Sequence, residues 1–219
     1  MTVVTAADYG WIRSSSSPLG YFLDVGYTMT WVREVEPARL LSRVEAVPRG
    51  VRRGIAAVTG EHPLLWDETG TWPQSFVAGA FTAPGDGGTW TLALDLAGDL
   101  GLRRQVVEDL SAGTRAVVHA TIPAKGMQFF FWYEDGALRT DFEWPARRSG
   151  STPDALNEVM RQVGLDPDDD QHPDPNLVTD RTAAAFALAE HLSGVRVSAQ
   201  LLEQAELLLV DVPEERRGT

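Results

Sequence analysis

The side chains whose types and spacing come closest to chemistry lie between Phe130 and Glu143, in the stretch GMQFFFWYEDGALRTDFEW that runs from Gly126 to Trp144. Asp135-Gly136 tolerates the positive φ values of a two-residue type I′ turn, and β-forming residues flank it, so the stretch is expected to be a hairpin. Such a loop pairs Glu134 with Ala137, Tyr133 with Leu138, Trp132 with Arg139, Phe131 with Thr140, Phe130 with Asp141 and Phe129 with Phe142. Alternation then sends Met127, Phe129, Phe131 and Tyr133, with Leu138, Thr140, Phe142 and Trp144, to the core. Phe130, Trp132, Arg139, Asp141 and Glu143 share the other face. Trp132 opposite Arg139 makes a cation-π pair worth roughly 0.5–1 kcal/mol if exposed, and two rings beside a guanidinium have the composition of a protein-binding hot spot. The competing arrangement is a helix from the C-terminal half laid over this face, burying the rings and leaving the charges at its margin. Asp141 and Glu143, about 7 Å apart along one strand face, have a spacing that acid and base roles would use, yet alternating acids are also what a solvated face selects.

Other candidates carry less. The four histidines, His62, His119, His172 and His191, are far apart and form no HExxH or HxH pair, so no metal site is expected of them. Asp166, Asp168 and Asp170 follow the spacing of a calcium loop, but Gln171 stands where glycine is needed, Leu177 where the bidentate glutamate belongs, and Pro167, Pro173 and Pro175 restrict the backbone. A solvated linker is the reading there. With no cysteine, disulfides, thiolate nucleophiles and Cys-ligated metals are excluded. No GxSxG elbow, Walker loop or GxGxxG fingerprint occurs, and Ser14 to Ser17 reads as a linker rather than a nucleophile. Lys125, the only lysine, stands in an expected turn, which disfavours Schiff-base or phosphate-loop chemistry. No cofactor is called for.

Thirty-one acidic against nineteen basic residues give a net charge of -12, which repels nucleic-acid phosphates and favours encounter with a basic protein. There is no apolar run of membrane-spanning length and no leader pattern at the N-terminus, so a soluble cytoplasmic protein is expected. With 219 residues and 43% hydrophobic content, one substantial core is within reach.

The elements that must position these residues follow from local signals. Thr5-Ala-Ala-Asp8 resembles a capping arrangement, a hydroxyl N-cap with a carboxylate in the first turn, opening a short helix with Tyr9, Trp11 and Ile12. A strand is expected around Tyr27 to Val32, a helix from Pro37 with Leu40, Leu41 and Val44 buried, then short strands and loops from Val47 to Pro73. Strands follow at Phe76 to Phe81 and Thr89 to Leu96, a helix at Leu102 to Ala112 closed by Gly113, and a strand at Thr114 to Ile122 before the hairpin. Beyond Trp144 the pattern turns helical. Thr152 and Pro153 are expected to start a helix ended by Gly164, Thr179 or Asp180 one ended by Gly194, and Ser198 one reaching about Val210. Strands first and helices last argue for an α+β fold, an antiparallel sheet flanked by helices, with residues 1–150 as sheet core and 151–219 as a helical section packed on it.

Several segments resemble, in their order along the chain, a family of actinobacterial proteins known as a domain of unknown function: Thr5-Ala-Ala-Asp-Tyr-Gly-Trp11, Tyr27-Thr-Met-Thr-Trp-Val-Arg33, Leu110-Ser-Ala-Gly-Thr-Arg-Ala-Val117, Glu134-Asp-Gly136 with Phe142-Glu143, and Leu192-Ser-Gly-Val-Arg196. The resemblance implies an actinobacterial cytosolic protein and offers no catalytic residues. The function expected first is therefore a non-catalytic protein-binding module, of immunity or accessory type, with Phe130, Trp132, Arg139, Asp141 and Glu143 facing a basic partner. The alternatives are a small-molecule-binding protein or enzyme with a pocket between sheet and C-terminal helices, and a structural subunit of a larger assembly.

Overall fold

The computed structural model describes residues 4–60, 75–96, 100–168 and 180–213. Among the described residues eight strands form one sheet: β1 (Tyr27–Arg33), β2 (Val47–Arg53), β3 (Ser75–Gly85), β4 (Gly88–Leu96), β5 (Arg115–Ile122), β6 (Met127–Glu134), β7 (Ala137–Phe142) and β8 (Glu206–Pro213). Their spatial order is β2-β8-β3-β4-β1-β5-β6-β7, with every neighbouring pair antiparallel. Helices α1 (Gly20–Val25), α2 (Pro37–Ser42), α3 (Ala56–Gly60), α4 (Arg104–Ser111), α5 (Asn157–Val163), α6 (Arg181–Ser193) and α7 (Ala199–Gln204) cover both faces. The expected α+β class, an antiparallel sheet flanked by helices, is what the chain adopts.

Burial on both faces follows from the strand sequences. In β1, Tyr27, Met29 and Trp31 enter one core while Val32 enters the other, so alternation here sorts residues between two interiors rather than between core and water. The larger core lies under α6, α5 and a 3-10 helix at Ala6–Arg13, and the smaller under α2 and α4. Helix α6 is buried all round from Thr182 to Ala189, and its alanines let it settle closely on the sheet. Asp180 caps it through the Thr182 and Ala183 amides, and Gly194 ends it in the left-handed region at φ +68°.

Three sequence expectations are corrected. First, the C-terminal helix from Ser198 stops at Gln204, and Glu206–Pro213 is strand β8, paired with β2 on one side and β3 on the other. Leu207 and Leu209 fill the larger core while Val210 and Val212 fill the smaller, and a strand buried on both faces gives an unbroken apolar run that mimics a buried helix. Second, Thr152 does not cap a helix: its hydroxyl donates to the Arg139 carbonyl, and α5 begins only at Asn157. Third, the hairpin has the expected turn but not the expected register. Glu134 pairs with Ala137 and Tyr133 with Leu138, then a bulge at Arg139 shifts the ladder, so that Trp132 faces Thr140, Phe131 faces Asp141 and Phe130 faces Phe142. The Arg139 carbonyl is taken by the Thr152 amide and Asp141 pairs with Ser149, so the chain after β7 folds back along its edge.

Asp135 and Gly136 both have positive φ, +52° and +74°, as a type I′ turn requires. A β-carbon on Gly136 would meet only ordinary contacts, the nearest atom being the Glu108 carbonyl oxygen at 3.5 Å. Gly136→Ala is therefore expected to cost only the left-handed backbone penalty, about 1 kcal/mol, read as a melting temperature lower by about 2–4 °C.

The opposite edge, β2, is exposed along most of its length, with Val47 at 61% and Val51 at 59% accessibility. Pro48, a bulge between Pro48 and Gly50, and Arg49, Arg52 and Arg53 blunt it against pairing with another chain.

Candidate functional site

A cleft of about 570 Å³ opens where the first turn of α6 meets the end of β5, the start of β6 and the 3-10 helix at Ala6–Arg13. Its polar wall comes from Arg13, Gln128, Asp180, Arg181 and Thr182, and its apolar wall from Leu23, Pro123 and Met127. The capping residue organises it. The Asp180 carboxylate accepts from the Thr182 amide at 2.9 Å and the Ala183 amide at 3.3 Å while receiving Arg13 Nε at 2.5 Å and Nη2 at 3.2 Å. Thr182 Oγ1 accepts from Gln128 Nε2 at 2.7 Å and from Arg13 Nη2 at 3.3 Å, tying β6, α6 and the N-terminal segment into one network. Partial burial raises the affinity of the Asp180 carboxyl for a proton, but Arg13 and the two amides outweigh it and hold the group below the usual carboxylate range. Arg181 lies over the Trp144 ring, 3.9 Å from its centroid, and donates to the Glu143 carbonyl.

Gln128 and Arg181 also line a narrow crevice, of about 10 Å³, that reaches inward to His119 between Phe130, Phe142 and Glu143. That volume suits one water-sized atom. His119 is fully buried, with Nδ1 3.0 Å from the Tyr27 hydroxyl and Nε2 without a partner among the described residues. Burial, and secondly the Arg181 charge, push its pKa down to about 3, so the ring is neutral at physiological pH. Burial also keeps the Tyr27 hydroxyl protonated. The Tyr27 hydroxyl and His119 Nδ1 share one buried hydrogen bond, whose donor is set by the imidazole tautomer. Nε2 is a buried polar atom left unpaired among the described residues, at a cost of about 1–3 kcal/mol.

The residues singled out in the sequence do not form one face. Phe130 is fully buried and Trp132 is 9% exposed, both in the larger core with α5 and α6. The face expected to be core, Phe129, Phe131 and Tyr133, lies on the other side, with Phe131 and Tyr133 in the smaller core. The covering helix is thus the arrangement found. Arg139 does stand over Trp132 at 5.8 Å, and Arg115 lies at the same distance. The bulge carries Asp141 away from the tryptophan side, where it accepts from Ser149 Oγ at 2.5 Å, and Glu143 stands at the crevice. Asp141 and Glu143 therefore do not act as a pair on one strand face. His191 is exposed on the last turn of α6, while His62, His172 and the acidic stretch after Asp168 lie outside the described residues. Among the described residues no group of three or more His, Asp or Glu is placed to hold a metal ion. Nor is any helix among them long and apolar enough to cross a membrane.

Of the cleft residues, only Asp180 was legible beforehand, as a helix cap. Arg13 is separated from it by 167 positions, and no local pattern announces that pairing. Asp180→Ala removes the cap and the Arg13 partner together. The expected loss is about 1–2 kcal/mol, measurable as a lower urea midpoint at unchanged slope.

A model of a family described as a family of unknown function, DUF6461, matches residues 2–217. No curated protein and no solved structure gives a significant match.

Proposed function

The chain belongs to DUF6461, and on that footing we propose that it is a non-catalytic binding protein whose site is the cleft at the start of α6, taking a small polar molecule. One observation carries this reading: a cleft of about 570 Å³ between sheet and helix, into which Arg13, Gln128, Asp180 and Arg181 converge from three separate parts of the chain. Arg13, Asp180, Thr182 and Gln128 are hydrogen-bonded to one another, which supports a wall organised before any ligand arrives. The carboxylate is engaged as a cap and the histidine is buried and neutral, an arrangement that supports recognition rather than proton transfer. The acidic, cysteine-free, lysine-poor composition supports a cytoplasmic setting in an actinobacterium. A protein partner of immunity or accessory type remains a second reading, supported by the net charge of -12, and it would be basic.

The test is a ligand-observed NMR screen of mixed small metabolites against the wild type and Gln128→Trp, whose indole would fill the cleft. At least one compound is expected to bind the wild type and be lost from a variant with unchanged circular dichroism. A blank screen, or binding that persists in the variant, overturns the reading.

A further inference from the structure

We infer that the ligand of the cleft is uncharged and carries hydroxyl groups on a ring, the chemistry of a neutral sugar, with one hydroxyl held by the Gln128 carboxamide and the ring set on the apolar wall of Leu23, Pro123 and Met127. This deepens the cleft reading and rests on it.

The charges around the cleft are already committed within the protein. Arg13 is paired with Asp180 through Nε and Nη2, and the same carboxylate receives two amides of α6. Hydrogen bonding to Asp180, with the more distant Asp24 adding to it, makes the Arg13 guanidinium hold its proton more tightly than usual. Arg181 is engaged by the Glu143 carbonyl and the Trp144 ring. An ionic ligand of either sign would compete with these bonds, first of all with the Arg13–Asp180 pair at the start of α6, and would shed its own hydration to do so.

Gln128 is only half used. Its carboxamide nitrogen donates to Thr182 Oγ1 at 2.7 Å, where Arg13 Nη2 also arrives at 3.3 Å. The other half of the carboxamide has no partner among the described residues and is not sealed from solvent. Turned over, the same group would accept the Thr182 hydroxyl proton and leave its NH2 open instead. A ligand hydroxyl serves either orientation because it both donates and accepts, whereas a carboxylate only accepts and an ammonium only donates. Arg13 Nη1 likewise has no partner among the described residues, which offers a donor to a second hydroxyl. Leu23, Pro123 and Met127 supply apolar surface for the C–H face of a ring, and the volume of about 570 Å³ lies within the roughly 300–1,000 Å³ of small-molecule sites.

Glucose, galactose and mannose serve as probes, titrated singly into the ¹⁵N-labelled full chain in slightly acidic buffer, with the matching uronates and amino sugars as charged counterparts. At least one neutral sugar is expected to saturate, at least tenfold more tightly than its charged counterparts and with an affinity unchanged between low and high salt. Gln128→Leu, which keeps the bulk of the side chain and removes its polar atoms, should weaken that binding at least tenfold at unchanged circular dichroism. Met127→Ala offers a second variant should the first disturb folding, and should weaken it severalfold through lost apolar contact. Arg196→Gln, a surface arginine outside the cleft, should leave it unchanged. The inference is overturned if no neutral sugar saturates, if a charged counterpart binds as tightly, or if Gln128→Leu and Met127→Ala both bind like the wild type. A charged hit from the metabolite screen that Gln128→Trp abolishes, with no neutral sugar bound here, sinks the ligand class and leaves the cleft standing, whereas a blank in both sinks the two together.

Discussion

Replacing Phe186 with alanine is expected to destabilise the fold by about 3–5 kcal/mol, lowering the melting temperature by about 6–20 °C, the largest effect of any substitution considered for this chain. Phe186 projects from α6 into the larger core and is almost completely buried. Its ring lies 5.7 Å from those of Tyr9 and His119, 5.8 Å from Trp31 and 6.5 Å from Tyr27, in tilted or edge-on geometries that favour aromatic pairs. Truncation removes the ring from water-free packing and leaves a cavity walled by large rigid side chains that have little room to collapse. Differential scanning calorimetry checks the magnitude, and a change in tryptophan emission from Trp31 checks the location. A loss below about 1 kcal/mol would mean that α6 is not seated on the sheet as described.

The second large effect is a loss of stability in acid that depends on His119. The group is depressed to about 3 in the folded chain, against roughly 6.5 unfolded, so below pH 6.5 the unfolded state binds a proton that the folded state refuses. The contribution is therefore complete above pH 6.5 and is lost as pH falls towards 3. Between pH 7 and 4.5 this one site should remove about 2–3 kcal/mol, measured as the change in urea unfolding free energy. His119→Phe lowers stability at pH 7 by removing the Tyr27 partner, but its decline towards pH 4.5 should be shallower by the same 2–3 kcal/mol. Asp180 is depressed for a different reason, its partner Arg13 and the helix amides, and its contribution is lost only as pH falls below the ordinary carboxylate range, in wild type and variant alike. Parallel curves for the two proteins would refute the buried, neutral state of His119.

The sequence carried the fold where local chemistry decides it. The capping box at Thr5 and Asp8, the strand at Tyr27, the Pro37 helix start, the Asp135-Gly136 turn and the Asp180 and Gly194 caps all stand where their side-chain chemistry placed them. It misled where tertiary pairing decides. β8 looked helical because strands buried on both faces lose their period of two, and the hairpin faces were inverted because both faces are covered and a bulge at Arg139 resets the register. The cleft was invisible for a related reason: Arg13, Gln128 and Asp180 are brought together by the packing of α6 across the sheet, and no spacing along the chain encodes that.

Strand β8 also bears on how the chain is assembled during synthesis. It lies between β2 and β3, so β2, made more than 150 residues earlier, has no ladder partner among the described residues until Glu206–Pro213 has emerged. The run from β3 to β7 with β1 can pair as it is made, but β3 waits with an open edge beside β4. A nascent chain halted before residue 206 would therefore present both β2 and the β3 edge to chaperones or to neighbouring chains, and release of the last strand is the event that seals the sheet.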